Sequence, residues 1–309
     1  MARRAAVTGA FSYSGGVIAG RLLDAGYEVV TLSRGPAPAG HRLAGRVATE
    51  RLQFTDSEAL VRALAGSEVL VNTYWIRFGR DGATFPGAVE NSRVLFEAAR
   101  RAGVRRIVHL SVTNPSPDSP LGYFRGKAAV EHVLAETMPE HAVIRPSLVF
   151  GGREEILVNN MAWLLRPLPL YAVPGDGRYR VQPVSVEDVA DLALAAAVGS
   201  GASICDAVGA EVYTFDEFLR LLNRTISGRA RLVHLPPSVV VNLGRVLGRL
   251  MGDVMITREE LAALMSELLV SSDPPTGTRS FAAWLPGQAE WLGRRYANEL
   301  RRNWRGSAG

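Results

Sequence analysis

Ala5-Ala-Val-Thr-Gly9-Ala-Phe-Ser-Tyr-Ser-Gly15-Gly16 decides how the chain folds. Ala5–Thr8 has the apolar character of a buried strand, the glycine-rich run is a tight turn, and Val17–Ala25 has helical periodicity closed by Gly26. Glu28–Ser33, with Val29, Val30 and Leu32, forms the next strand. Strand, turn, helix and strand make a βαβ unit of about thirty residues, the setting in which a glycine-rich turn has a physical role. The turn lets backbone approach a ligand closely and aims a helix N-terminus at an anion, here a pyrophosphate. Ser12 stands at the position of the middle glycine, where its hydroxyl could donate to a phosphate. A turn made only for packing is the alternative.

Outward from this unit, Thr31-Leu-Ser33-Arg34-Gly35 ends the second strand without the carboxylate that would hold ribose hydroxyls. Ser33 and Arg34 suit a 2′-phosphate instead, which favours NADP, with NAD as the alternative. Leu52-Gln-Phe reads as a short strand, Asp56 as the cap of a helix over Ser57–Ala65, and Glu68–Asn72 as a further strand. That strand runs into Tyr74-Trp75-Ile-Arg77-Phe78. At the carboxyl end of a central strand, Tyr74, Trp75 and Arg77 are placed to line a cofactor or substrate wall. Core packing suits Trp75 and Phe78 nearly as well.

Phe85–Ala102 is a helix stopped by Gly103, and Arg105–Ser111 is a strand followed by a proline-stiffened connection. Ser119 then reads as an N-cap with Pro120 at the first helical position, leading a helix that carries Tyr123 and Lys127. Lys127 is the sole lysine among 35 basic side chains. A chain that uses arginine everywhere else keeps here a compact ammonium with a tunable pKa. Tyr123 is one turn earlier on the same face, where a nearby ammonium favours the phenolate. Ser111, at the preceding strand end, is a candidate to hold a carbonyl oxygen. Gly122 and Gly126 each cost this helix about 1 kcal/mol relative to alanine, a cost consistent with close approach by a dinucleotide or a neighbouring helix.

The 309 residues, 47% of them hydrophobic, are enough for a large α/β domain and a smaller lobe. The Rossmann domain is expected over 1–150 with a return segment about 182–209, and a small, mostly helical lobe over 151–181 and 210–309. Cys205 alone excludes a disulfide framework, and no histidines pair at metal spacing, His109 being read as core. The net charge of +5 comes from scattered arginines, which argues against nucleic acid as a partner. The apolar stretch Leu232–Met251 is broken by Pro236-Pro237, Arg245 and Arg249, so it cannot supply the roughly 20 uninterrupted residues of a membrane span, which leaves only peripheral contact open. Gln288–Arg305 is read as a solvated helix. The absence of a leader-like start and the single cysteine suggest a cytoplasmic location; oligomeric state is open, a homodimer being one arrangement.

These residues together resemble the short-chain dehydrogenase/reductase superfamily. The resemblance is to its extended or atypical branch, which holds NAD(P)-dependent epimerase/dehydratase proteins and the NAD(P)-binding accessory subunit of respiratory complex I. It is carried by Thr8-Gly9-Ala10 through Gly15, Asn91 in Val-Glu-Asn-Ser-Arg, the strand ending at Ser111, Tyr123-x-x-x-Lys127, Ile-Arg-Pro-Ser147 and Val184-Ser-Val-Glu-Asp188-Val-Ala190. It implies a nicotinamide cofactor, Tyr123 as acid/base, Lys127 on the ribose, Ser111 on the carbonyl oxygen and Asn91 anchoring Lys127 through water. The cofactor contacts it implies are Gly9, Phe11, Ser12, Tyr13, Gly15, Ser33, Arg34, Gln53, Phe54, Asn72, Lys127 and Pro146. Departures are Ser12 for glycine, Gln53 for the adenine-binding aspartate, and only twelve residues between Ser111 and Tyr123, which makes a sugar-nucleotide substrate less expected. The expected activity is NADP-dependent hydride transfer to or from a carbonyl or alcohol carbon of a small molecule. A redox-neutral epimerase/dehydratase and a non-catalytic NAD(P)-sensing or assembly protein are the rivals.

Overall fold

The structure, a computed structural model, describes residues 3–303. In chain order the elements begin with β1 (Arg4–Thr8), α1 (Tyr13–Asp24), β2 (Glu28–Ser33), β3 (Ala48–Arg51), α2 (Ser57–Leu64), β4 (Val69–Asn72), α3 (Phe85–Arg101), β5 (Arg106–Leu110), α4 (Gly122–Thr137) and β6 (His141–Pro146). Then come β7 (Leu148–Phe150), α5 (Leu157–Leu165), β8 (Leu170–Pro174), β9 (Arg180–Val181) and β10 (Pro183–Ser185). The chain returns through α6 (Val186–Val198) and β11 (Ser203–Ala207). It ends with β12 (Tyr213–Thr214), α7 (Phe215–Thr225), β13 (Arg231–Leu235), α8 (Pro237–Met251), α9 (Arg258–Met265), α10 (Phe281–Trp284) and α11 (Glu299–Asn303).

The first compact unit runs to Pro146 and includes Val186–Ala207. Its seven strands lie in the order β11-β6-β5-β4-β1-β2-β3, every pairing parallel. This is the Rossmann arrangement, and its order reverses between β1 and β4, so a crevice opens outside the carboxyl ends of those strands. The core of one face packs Leu60, Leu64, Leu95, Phe96, Leu134 and Val143 from strands and helices together. Such full burial explains why β4 and β5 show no apolar-polar alternation, with Val69, Leu70 and Val71, and then Ile107 and Val108, apolar in succession and even Arg106 and His109 buried.

The second unit comprises Ser147–Ser185 and the chain from Val208 on. Its core is aromatic, with Phe218 and Phe281 stacked 4.8 Å apart and Phe150 edge-on to Phe281. It holds three short strand pairs besides its helices, β7 with β10, β8 with β13 and β9 with β12. Residues 147–150 and 182–185 belong to it because β7 and β10 pair with each other rather than with the large sheet.

Several expected boundaries move. Helix α1 starts at Tyr13 rather than Val17, since Gly16 N already donates to Ser12 O at 2.8 Å. The third strand is Ala48–Arg51, and Leu52 follows it. Helix α4 starts at Gly122, because Ser119 Oγ accepts from Leu121 N in a turn just before it and does not cap the helix. In Gln288–Arg305 the chain is mostly turns before the short α11, with Gly293 seated against Ala162 and Trp163; Trp304 and Arg305 lie outside the described residues.

Candidate active site

The Gly9–Gly16 turn is built around missing side chains. Gly9 has φ +69°, and a Cβ on Gly15 would collide with the Gly9 carbonyl oxygen. Ser12 folds inward, its N–H and its hydroxyl both donating to Gly9 O at 2.8 and 2.7 Å. Its side chain therefore does not cap α1, and the first turn of α1 holds no acidic residue. With no side-chain cap and no carboxylate at its positive end, the start of this helix fits a pyrophosphate. Tyr13 opens the helix, and Phe11 packs edge-on to His41 at 5.2 Å. The loop after β2 thus folds back over the turn. It lays the Arg42 guanidinium beside Gly16 and Gly20, 3.7 and 3.4 Å from where their Cβ atoms would be. Neither His41 nor Arg42 was singled out from the sequence; glycines four residues apart on one helix face were the available signal.

At the end of β2, Ser33 is half-buried and Arg34 exposed. Arg34 is close enough to act on the Tyr74 phenol, whose pKa is raised by burial, against which a hydrogen bond from Asn91 and the Arg34 charge pull it down. Asn91 Nδ2 donates to Tyr74 Oη at 2.8 Å, and the Phe54 ring lies 4.7 Å from that of Tyr74. Arg34, Phe54, Tyr74 and Asn91 therefore form one cluster. Asn91, expected to anchor Lys127 through water, donates its amide to Tyr74. Gln53 Nε2 donates to its neighbour Thr55 at 3.2 Å.

Asn72, expected at the cofactor, spends both ends of its amide inside the protein. Its Oδ1 accepts from Thr8 Oγ1 at 3.0 Å and its Nδ2 donates to His109 Nδ1 at 3.0 Å. Thr8 Oγ1 in turn accepts from the N–H groups of Thr73 and Tyr74. This chain ties the carboxyl ends of β1, β4 and β5 together and fixes where the residues after β4 begin. Because Nδ1 of the buried His109 accepts, its proton sits on Nε2, which has no hydrogen-bond partner. Burial first, and then the Lys127 charge, hold the His109 pKa well below its usual value.

Lys127 is 3% exposed. Its Nζ donates to Leu110 O at 2.8 Å and lies 4.9 Å from the centre of the Trp75 ring. Burial pulls its pKa down to about 7, against the opposing pull of Glu131. Glu131 is itself paired with Arg145 through two hydrogen bonds. Trp75 reaches this place through a notch in α4, since a Cβ on Gly126 would stand 2.8 Å from the indole. Gly126 thus serves a side chain from the end of β4. Trp75 stacks on Phe85 at 6.0 Å, and Tyr123 meets both rings edge-on at 6.0 and 6.1 Å. Ser111 is buried, its N–H donating to Ile144 O, and its hydroxyl has no hydrogen-bond partner. Arg77 lies over Phe78 at 5.5 Å, and Pro146 O accepts from Thr113 N at 3.2 Å. Among the described residues no cluster of side chains could hold a metal ion.

A parallel sheet with its switch point between β1 and β4, a Cβ-free turn leading to an uncapped helix, and a Tyr-x-x-x-Lys helix beside the end of β5 define a dinucleotide-binding protein of the short-chain dehydrogenase/reductase type. The chain belongs to the NAD dependent epimerase/dehydratase family, whose model matches residues 5–202. Curated relatives include subunit 9 of the NADH dehydrogenase (ubiquinone) 1 alpha subcomplex, mitochondrial, of Dictyostelium discoideum, 29% identical over 186 residues. The match covers 58% of this chain and 50% of the Dictyostelium protein. The Arabidopsis thaliana protein of the same name is 25% identical over 242 residues, covering 75% of this chain and 60% of its own. The chain thus spans between half and three-fifths of the length of these two relatives. Among solved structures, the Citrobacter sp. triphenylmethane reductase complexed with NADP(H) superposes with a TM-score of 0.73 at 18% identity, covering 93% of this chain and 99% of that one. That likeness shows the shared fold.

Proposed function

We propose that the chain is an NADP-dependent oxidoreductase that moves a hydride between the nicotinamide and a carbonyl or alcohol carbon of a small organic molecule. The observation that carries this reading is the ammonium of Lys127, held at the Leu110 carbonyl one residue before the unpartnered Ser111 hydroxyl and one helical turn after Tyr123. When bound, the nicotinamide supplies or accepts the hydride. The N–H groups opening α1 hold the pyrophosphate and Arg34 holds the 2′-phosphate. Ser111 donates a hydrogen bond to the substrate carbonyl oxygen, and the Tyr123 hydroxyl gives that oxygen its proton. Lys127 stabilises the phenolate that results. Trp75 and Phe85 keep water from the far side of the Tyr123 ring. The lone Cys205 and the demand for reduced nicotinamide support a cytoplasmic location.

A second reading, a nucleotide-sensing or assembly subunit without turnover, is favoured by the names of the curated relatives and by the Trp75 ring that covers Lys127. The family itself also includes redox-neutral epimerases and dehydratases. Screening ketones, quinones and cyclic lactols by NADPH absorbance separates these readings. Consumption of NADPH supports the oxidoreductase. Substrate conversion without net absorbance change supports epimerisation or dehydration, and tight cofactor binding without any conversion supports the sensor.

A further inference from the structure

Helix α8 is apolar on two opposite faces, and only one of them is packed. Its buried residues are Val241 and Gly248; a Cβ on Gly248 would stand 2.7 Å from Asp253 O, and one on Gly244 2.8 Å from Ile256. Val239, Leu243, Val246 and Leu250 are 40, 50, 56 and 78% exposed. At ~100° per residue these four fall within about 60° of one another, on the side facing away from Val241 and Gly248. Half-buried Val240, Leu247 and Met251 extend the apolar surface along one flank. The other flank carries Ser238, Asn242, Arg245 and Arg249, and the helix contains no acidic residue.

We propose that this face of α8 docks in the plane of an anionic membrane surface. A second copy of the chain is a poor occupant. Four side chains in a narrow row offer a few hundred Å², against the ~800 Å² per partner of a stable interface. Pairing two such helices would also bring Arg245 and Arg249 against their own copies. A bilayer asks for no shape match. The ridge enters the acyl boundary while Arg249, about a quarter turn to the side, and Arg245, about a third of a turn, reach on long stems for the phosphates at headgroup level. A helix of 15 residues is too short to span, and among the described residues no helix is long and apolar enough to cross a membrane. The α8 part of the apolar stretch Leu232–Met251 thus serves peripheral attachment, whatever reaction the first unit performs.

Flotation of the full chain with phosphatidylcholine vesicles, with and without one-third phosphatidylglycerol, tests this. The expected result is recovery with the anionic vesicles alone, weakened by high salt. Leu243→Ser with Leu250→Ser should lower binding about tenfold or more. Arg245→Gln with Arg249→Gln should lower it about fivefold per arginine on anionic vesicles. All four positions are exposed, so unchanged thermal unfolding and NADPH binding serve as controls for folding. The proposal is overturned if wild type binds neither vesicle, if it binds both equally, or if the leucine variant floats as wild type does. It is also overturned if light scattering shows a dimer that the leucine variant abolishes, which would make the ridge a self-interface.

Discussion

Replacing Lys127 with methionine should make the protein more stable at low pH while removing a group the site needs. The ammonium is buried, and its pKa falls from 10.5 to about 7 chiefly through desolvation. At ~1.4 kcal/mol per pH unit, this corresponds to a penalty of about 5 kcal/mol on the folded state when the lysine is charged. The lysine is protonated in both states below pH 7, so the whole penalty applies there. Between pH 7 and 10.5 the unfolded chain binds the proton and the folded chain does not, so wild-type stability rises with pH across that window. Methionine keeps most of the volume beneath Trp75 but loses the hydrogen bond to Leu110 O, which offsets about 1.5–3 kcal/mol. A net gain of about 2 kcal/mol at pH 6 follows, equivalent to a rise of about 4–8 °C in Tm. Thermal melts of both proteins at pH 6 and pH 9 measure it, and the gain should shrink at the higher pH. A variant less stable than wild type at pH 6, or a difference independent of pH, would refute the assignment of Lys127 as a strained buried ammonium.

Gly126→Ala improves helix propensity by about 1 kcal/mol but drives a methyl into the Trp75 indole, so overpacking of about 1–3 kcal/mol should win. Calorimetry and the near-ultraviolet tryptophan signal report it, and a raised Tm would contradict the notch. Arg34→Ala should weaken NADPH roughly 10 to 150-fold and leave NADH nearly unchanged, as titrations of both cofactors would show; an unaltered preference means the 2′-phosphate is read elsewhere. Asn91→Leu removes the hydrogen bond that opposes burial at Tyr74, so that phenol should titrate higher still in ultraviolet difference spectra against Tyr74→Phe.

The βαβ start and the Tyr123-Lys127 helix are legible in the sequence because each is local. A glycine-rich turn between a strand and a helix, or two side chains one turn apart, needs no distant partner. The buried strands β4 and β5 are legible for the same reason, from Val69, Leu70 and Val71 and from Ile107, Val108 and Leu110. Edge strand β3 is not, since all four of its residues are exposed and carry no apolar pattern. The strand pairs of the second unit are two to five residues long, and β8 meets β13 only after the whole chain from β9 to α7 has intervened, which leaves no local mark. Within the site, Gly126 can be seen to need a close neighbour, but that Trp75 fills the notch depends on how the end of β4 is aimed. The Thr8-Asn72-His109 chain joins three strands far apart in sequence. Asn91 likewise reads as a partner of Lys127 through resemblance alone, whereas its position on α3 brings it to Tyr74.

Turnover by Tyr123→Phe, on whichever substrate consumes NADPH in the wild type, tests the catalytic assignment most directly. Only the hydroxyl is removed, and the ring keeps its edge contacts with Trp75 and Phe85. NADPH affinity should therefore stay within a few fold while turnover falls by about 10² or more. Turnover at the wild-type rate would mean that the proton comes from another group and that α4 is not the catalytic helix.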